Sequence, residues 1–347
     1  MSDVYLAVTI LWGFVFIYAV MATMDFGAGF WSMIYINHSK TKATTVANRY
    51  LSPTWEVTNT FVVALVVAVY SMFPKGAYTL GTVLLIPGSL ILILLAIRSA
   101  FLVFSHFVSE YEKILIYISG ITGILIPGLL ISVLPITHGN FVYVTGGKEI
   151  LDLAGLFSSP NEYAFFGFAI SSTLFLSSLL LADYSKASEE LDAYKVYRRD
   201  AIILGPISLL MAVFIMLTLK TESGWLYNKM MDNFPFLLLS LLFFLIGGLG
   251  LFLPSGKVKG KPRLSVIAVT LQYLAASYVY GRAHLPYIVY PYVTVHSAFT
   301  DPASFHAVFI MYIAGFVILF PGFIYFWSLF MNDKRYLRRR KANQSPE

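Results

Sequence analysis

Residues 21–31 read MATMDFGAGFW, and they place a single carboxylate, Asp25, inside an apolar run that covers residues 4–36. No other Asp, Glu, Lys, Arg or His occurs in that run. An ionised Asp at the centre of a bilayer costs roughly 2.5–3.5 kcal/mol on insertion scales, so such residues usually face other helices or a water-filled path. Gly27 and Gly29 follow at a spacing that permits close helix packing. The stretch therefore indicates a membrane-spanning helix whose acid meets a partner inside the protein.

The composition is typical of an integral membrane protein. Apolar residues make up 58% of the chain and charged residues 12%, with a mean hydropathy of +0.74, whereas soluble domains are about 25% charged. The excess of 24 Lys and Arg over 18 Asp and Glu lies mainly in short loops and the tail, which favours a role in membrane topology over nucleic-acid binding. A sequence without cysteine excludes structural disulfides, thiolate haem ligands and iron–sulfur clusters held by this chain alone. The first apolar run lacks a basic leader and is long enough to span, so we expect a span and not a cleaved signal peptide.

Nine segments are apolar and long enough to cross about 30 Å of hydrocarbon. We therefore predict an all-α membrane protein with nine transmembrane helices, near residues 4–24 (or on to 36), 55–74, 77–97, 114–135, 163–182, 200–219, 234–253, 264–281 and 305–330. With the N-terminus outside, 18 of the 24 Lys and Arg fall on the inner side and five on the outer side, while Arg98 lies in a span. The positive-inside rule thus predicts an outer N-terminus and a cytoplasmic C-terminus.

A weak internal repeat divides the spans into two bundles. Asp25 ends the first apolar run and Asp183 ends the fifth, so we expect two four-helix bundles followed by a ninth helix. The inner loop 183–200 carries five acids and four bases and is expected to be a solvated helical linker. The basic tail 334–341 is expected to anchor on anionic lipid. The predicted regions are the first bundle with the candidate acids, an outer loop, the second bundle, another outer loop, and the ninth helix with its tail, over residues 1–135, 136–162, 163–281, 282–304 and 305–347.

Three charged residues are predicted to lie at one level near the cytoplasmic face. Asp25 comes 21 residues after Val4 in the first inward span, and Arg98 comes 21 residues after Ala77 in the third. At about 1.5 Å per residue both lie roughly 30 Å from the outer side. Glu56 stands at the inner start of the second span. Two acids and a base at the inner end of adjacent spans resemble the mouth of a proton-uptake path.

Each of these residues also has a structural interpretation. With Ser52 as N-cap and Pro53 at the first helical position, Glu56 lies in a first turn where a carboxylate favours the helix dipole. Arg98 can extend to the inner headgroups. Asp25 can pair with Arg98 and hold helices together. These alternatives remain open from the sequence alone.

A haem or metal site within this chain is not expected. Buried haem needs an axial ligand inside a span, and all six histidines fall in loops or near span ends. No phosphate loop, nucleophile motif or metal-ligand spacing stands out. The histidines are His38, His106, His138, His284, His296 and His306.

The residues around the three charges resemble the second subunit of cytochrome bd-type quinol oxidases, in the form found in Gram-positive bacilli. The family's Asp-Gly-Phe-Asp-Leu-Gly at the end of span 1 corresponds to residues 22–27, ATMDFG, which keep the second acid. The family's Pro-x-Trp-Asp-Gly-Asn-Glu corresponds to residues 53–59, PTWEVTN. The family's Arg-Gly-x-x-Phe-Glu-Phe-Arg corresponds to residues 98–105, RSAFLVFS, which keep the first Arg and the last Phe.

The resemblance implies a haem-free subunit of a quinol:oxygen oxidoreductase, with haem b, haem d and the quinol site in a larger subunit I. It implies that this chain offers a cytoplasmic proton route toward the oxygen-reducing haem. In that route Asp25 and Glu56 are proton-path acids, Arg98 is their electrostatic partner and Trp55 packs the entrance. The resemblance also implies a multi-pass protein of the bacterial cytoplasmic membrane in contact with lipid and quinone. It leaves open a small single-span third subunit.

Two other functions are compatible with the same acids. A proton-coupled secondary transporter would use them in two four-span repeats and would place a polar cluster near the midplane, which the sequence does not show. A purely structural assembly subunit would use the charges only to hold helices together.

Overall fold

The computed structural model describes residues 3–38, 41–104, 112–146, 148–255 and 258–332. The predicted lipid anchor at 334–341 and His106 lie outside these residues. The helices are α1 (Asp3–Tyr35), α2 (Ala43–Met72), α3 (Pro74–Val83), α4 (Leu85–Phe104), α5 (Glu112–Ile131), α6 (Val133–His138), α7 (Leu153–Ser158), α8 (Pro160–Ala187), α9 (Leu191–Glu222), α10 (Gly224–Met231), α11 (Phe234–Gly250), α12 (Pro262–His284), α13 (Val295–Ala298) and α14 (Pro302–Asn332). Short antiparallel hairpins in the connections pair β1 (Val142–Thr145) with β2 (Lys148–Leu151), β3 (Pro254–Ser255) with β4 (Val258–Lys259), and β5 (Tyr287–Val289) with β6 (Val293–Thr294).

The helices confirm an all-α, multi-pass membrane protein. In the described part of the chain, eight helices are long and apolar enough to cross a membrane. The pair α10 and α11 passes the same test together but is bent by 77° at its junction. The number of spans reaches nine when this bent pair is read as one broken span.

The first observed helix matches the longer of its two predicted forms, whereas the third predicted span differs from the observed helices. Helix α1 continues through both glycines to Tyr35, which is the longer of the two predicted ends. The segment predicted as one span over 77–97 is instead two helices that meet at Leu84, and the one long enough to span is α4. Pro87 lies in the first turn of α4, where its missing N–H leaves no intrahelical bond unmade. The predicted start of this span was therefore wrong.

Helix α2 begins far earlier than the sequence suggested. It starts at Ala43 after Lys42, so the predicted N-cap at Ser52 was wrong and Glu56 is not in a first turn. The early start has a clear cause, because apolar side chains recur there at helical spacing and are buried in one core cluster. These side chains are Ala43, Val46, Ala47, Tyr50 and Leu51.

The helix that carries Asp25 lies between two groups of helices. Helix α1 packs against α2, α5 and α8, while α8 also packs against α9 and α12. The contact between α1 and α8 is close, because a Cβ added at Gly27 would lie 2.1 Å from Ser177 Oγ. Glycine at this position thus allows the two helices to meet directly beside the acid.

Candidate functional site

The structure brings Asp25 of α1 and Arg98 of α4 together in the interior. Asp25 is 3% exposed and Arg98 is 2% exposed. Arg98 Nε lies 3.6 Å from Asp25 Oδ2, which is an ion pair at a distance longer than an ordinary hydrogen bond. Each charge would be costly to bury alone, so the pair makes the burial of both tolerable.

Arg98 also binds uncharged groups on two neighbouring helices. Its Nη1 donates to the carbonyl oxygen of Ser119 at 2.5 Å and to Ser119 Oγ at 3.0 Å, with Thr122 Oγ1 at 3.5 Å. Its Nη2 donates to the carbonyl oxygen of Asp25 at 2.9 Å. The guanidinium also lies 5.2 Å from the centre of the Phe26 ring. Arg98 therefore joins α1, α4 and α5 through directed bonds in addition to its charge.

One carboxylate oxygen of Asp25 is left without a partner. Asp25 Oδ1 is buried and accepts no hydrogen bond from any described residue, and Arg98 Nε donates none. Buried polar atoms are nearly always hydrogen-bonded, so an exception of this kind calls for an explanation. A carboxylate oxygen in this position can take up a proton or accept a bond from water.

Two glycines give the ion pair its space. A Cβ at Gly29 would lie 2.7 Å from Ser119 Oγ and 3.0 Å from both terminal nitrogens of Arg98. A Cβ at Gly123 of α5 would lie 2.4 Å from the carbonyl oxygen of Phe26. Any larger residue at either position would push α1 and α5 apart or displace the guanidinium.

The other two predicted residues lie on α2, away from the pair. Trp55 is half-buried and packs against the core cluster that contains Tyr50 and Tyr184. Glu56 is exposed, and its carboxylate makes no hydrogen bond or ion pair with the residues that the structure describes. The structure thus brings together Asp25 and Arg98 but does not bring Glu56 to them.

Sequence reasoning missed the two hydroxyl residues that bind Arg98. Ser119 and Thr122 are three residues apart in α5, so they share one face of an apolar helix. That spacing is a weak signal, because isolated hydroxyls are common in spans and their bonds to Arg98 depend on how α4 packs. Only the packed structure identifies them as acceptors.

A further buried carboxylate, Asp200, lies in the third turn of α9. Asp200 was predicted to belong to a solvated linker, but it is 6% exposed, so that prediction was wrong for this residue. Tyr35 Oη donates to Asp200 Oδ2 at 2.5 Å, and Arg199 Nη2 lies 3.0 Å from Asp200 Oδ1. These contacts join Tyr35, the last residue of α1, to α9.

The described residues offer little for a metal. They contain no group of three or more His, Cys, Asp or Glu side chains that could hold an ion. The fully buried His138 already uses both ring nitrogens, with Nδ1 2.9 Å from Tyr280 Oη and Nε2 2.8 Å from Asn161 Nδ2. A ligand role for His138 would break one of these bonds.

The chain is similar to known proteins over nearly its whole length. The family model for cytochrome bd terminal oxidase subunit II matches residues 4–330. A Bacillus subtilis (strain 168) protein named as cytochrome bd menaquinol oxidase subunit II is 61% identical over 343 residues, which cover 98% of this chain and 99% of that protein. The structure of bd oxidase from Geobacillus thermodenitrificans matches with a TM-score of 0.81 at 33% identity, over 96% of this chain and 100% of that chain. The chain belongs to the cytochrome bd terminal oxidase subunit II family.

Proposed function

We propose that this subunit carries protons from the cytoplasm toward the oxygen-reducing haem of its partner, with Asp25 as the proton-carrying group. Family membership makes the chain a subunit of a membrane quinol oxidase that works with a subunit I. It also decides against the secondary transporter as the function of this chain. What remains to be assigned is the work that this subunit does in the complex.

The observation that carries the proposal is the state of the Asp25 carboxylate. One oxygen lies 3.6 Å from a buried guanidinium, while the other is buried without a hydrogen-bond partner among the described residues. The cation makes the charged form of the acid tolerable inside the protein, and the unpaired oxygen offers a place for a proton. An acid that can exist in both forms is what a relay in a membrane protein requires.

The same proposal includes the arrangement of the complex. We place haem b and haem d in subunit I and none in this chain, and we leave room for a small single-span subunit. We propose nine spans with an outer N-terminus, two four-helix bundles over 1–135 and 163–281, outer loops at 136–162 and 282–304, and the ninth helix over 305–347. The distribution of Lys and Arg supports this topology in a bacterial cytoplasmic membrane. The name of the Bacillus subtilis relative favours menaquinol as donor.

Glu56 and Trp55 keep their proposed roles as a second acid and as packing at the entrance. Glu56 is exposed near the start of the membrane-spanning segment that begins at Trp55, at the end that we propose to be cytoplasmic. A carboxylate that faces lipid is unfavourable, so we infer that protein of the partner subunit covers this face of α2. Glu56 would then act at the boundary between the two subunits.

A structural role for the pair is the second candidate. Arg98 donates to backbone carbonyls of both α1 and α5, which are contacts that hold helices together whatever the state of the acid. A subunit that serves only for assembly would need these contacts and would not need the unpaired oxygen.

The experiment that separates the two roles uses the whole oxidase with Asp25→Asn in this chain. We expect oxygen consumption with quinol to fall at least about tenfold, because the amide cannot carry a proton. The haem absorption of the complex that assembles should stay normal, since Arg98 keeps its bonds to the main chains of residues 25 and 119. Asp192→Asn is the matched control, because the Asp192 side chain is 74% exposed and pairs only at the surface.

Full turnover of the Asp25→Asn oxidase would remove Asp25 from the proton route. Failure of the complex to assemble would support the structural candidate instead. Glu56→Gln, measured in the same way, tests the second acid independently, and unchanged turnover there would restrict the route to Asp25.

A further inference from the structure

A buried tyrosine contacts the residue that precedes the acid, on the side of the predicted cytoplasmic loops. Tyr50 of α2 is 3% exposed, and its hydroxyl donates to Met24 Sδ at 3.4 Å, at the residue that precedes Asp25. A phenol can donate one hydrogen bond and accept others, so it can pass a proton and remain neutral. Tyr50 thus stands where a relay to Asp25 would be useful.

The other side of this phenol faces the end of α8. The rings of Tyr50 and Tyr184 meet edge to face, with centroids 5.5 Å apart, and Tyr184 follows Asp183 in the chain. Burial raises the pKa of the Tyr50 phenol, and the charges of Asp25 and Asp183 and the Tyr184 phenol raise it further. The phenol therefore keeps its proton at ordinary pH and lies within electrostatic range of two carboxylates at once.

Asp183 connects this region with the surface. Its side chain is 14% exposed and pairs with Arg263, whose side chain is 61% exposed, at 3.1 Å between Nε and Oδ2. A carboxylate at the edge of the protein can exchange protons with water, whereas Asp25 cannot do so directly. Asp183 therefore lies nearer the surface than Tyr50 and Asp25, which are each 3% exposed.

We propose that Asp183 and Tyr50 form an entrance that delivers protons from the cytoplasmic surface to Asp25, an inference that rests on the proposed function of Asp25. In each transfer the Tyr50 hydroxyl gives its proton through water toward Asp25 Oδ1, and it receives another through water from the side of Asp183. The phenol begins and ends neutral, and the net result is one proton moved inward. Tyr50 and Asp183 are relay residues and touch no cofactor.

This entrance differs from the one at Glu56. Glu56 comes six residues after Tyr50 in α2, which places it about 120° around the helix from the buried phenol. Its exposure puts it on the outer face of α2, while Tyr50 faces α1 and α8. The two acids therefore define separate approaches, and the one through Tyr50 lies wholly within this chain.

The test uses the complete oxidase with Tyr50→Phe. Phenylalanine keeps the ring against Tyr184 and removes only the hydroxyl, so we expect normal haem absorption. Oxygen consumption should fall severalfold, and the solvent isotope effect on turnover should rise as proton delivery becomes limiting. Tyr197→Phe is the matched control, because Tyr197 is equally buried in the same cluster and its hydroxyl donates to the carbonyl oxygen of Ala43 at 2.7 Å.

A second substitution checks the outer part of the entrance. Asp183→Asn should slow turnover in the same manner, and Asp183→Glu should restore it, because the longer acid can still exchange protons. If Tyr50→Phe does not assemble, unchanged turnover in Asp183→Asn rejects the proposal by itself.

The outcomes separate this inference from the proposed function. Full turnover and an unchanged isotope effect in Tyr50→Phe, together with a slow Asp25→Asn oxidase, overturn the entrance and leave Asp25 in place. Full turnover in Asp25→Asn overturns both. A loss of activity in Tyr197→Phe equal to that in Tyr50→Phe also overturns the entrance, because it shows that any lost hydroxyl in the cluster has the same effect.

Discussion

Asp25 of α1 and Asp183 of α8 are both paired with an arginine, but in opposite surroundings. The side chains of Asp25 and Arg98 are 4% and 2% exposed, whereas those of Asp183 and Arg263 are 14% and 61% exposed. The exposed pair is the closer of the two, at 3.1 Å against 3.6 Å. The distance between the charges therefore does not follow how deeply each pair is buried.

The difference lies in what else each arginine must satisfy. Arg98 is surrounded by protein and needs bonds to Ser119 and to the main chain of residue 25 to replace lost water. Arg263 keeps most of its hydration, so its ion pair adds little. The comparison teaches that the buried pair is a fixed part of the packing, while the surface pair is free to exchange with solvent.

The largest effect is expected from breaking the buried pair at Arg98. Arg98→Met removes the only cation that the structure places against Asp25 among the described residues, and it also removes the bonds to α5. We expect about 3–5 kcal/mol of lost stability, because an uncompensated charge stays buried. The yield of haem-containing complex and the midpoint of its thermal unfolding in detergent measure this loss.

A double variant shows whether the unpaired charge is the cause. Asp25→Asn together with Arg98→Met should recover part of the stability that Arg98→Met loses, since no charge then remains. No recovery would mean that the bonds from Arg98 to Ser119, and not its charge, account for the loss.

A smaller effect is expected at Gly29, four residues after the buried acid in α1. Gly29→Ala places a Cβ 2.7 Å from Ser119 Oγ and 3.0 Å from the Arg98 nitrogens, so we expect about 1–3 kcal/mol of destabilisation from overpacking. Gly13→Ala in the same helix is the control, because a Cβ there meets nothing within 4 Å. It should be neutral or stabilising by up to about 1 kcal/mol, from helix propensity. Thermal unfolding of both variants measures this difference. Equal stability of the two variants would show that α1 and α5 can separate without a loss of stability.

The smallest effect is expected at the surface pair. Arg263→Met should change the stability of the complex by no more than about 1 kcal/mol, because exposed ion pairs contribute little. The thermal midpoint should lie close to that of the unchanged complex. A loss as large as that of Arg98→Met would contradict the distinction between the two pairs.

The sequence was sufficient to predict the membrane class and the meeting of Asp25 with Arg98. Long apolar runs have one physical meaning in a bilayer, and a lone acid and a lone base in neighbouring runs have few other partners. The rise per residue then placed the two at a similar height even though the start of the third span was wrong. This error did not affect the predicted pairing, because the pairing depends on the position of Arg98 relative to α1. It does not depend on where the outer end of α4 lies.

The sequence was insufficient where packing decides. The pattern Ser52-Pro53 is a sound signal for a helix start, but buried side chains such as Tyr50 hold the helix together well before it. The neutral acceptors Ser119 and Thr122 carry no charge that could mark them in an apolar span. Whether Glu56 faces the interior depends on rotation of α2 about its axis, which the position of Glu56 in the span does not fix.

The bond from Arg98 Nη2 to the carbonyl oxygen of residue 25 has a practical consequence. Every amino acid carries that carbonyl, so this hydrogen bond from Arg98 to α1 remains whichever side chain occupies position 25. A graded series of substituents at position 25, such as Glu, Asn and Ser, therefore keeps this one contact between Arg98 and α1. In the variants that assemble, turnover plotted against the acidity of the side chain at position 25 would report on proton transfer separately from folding.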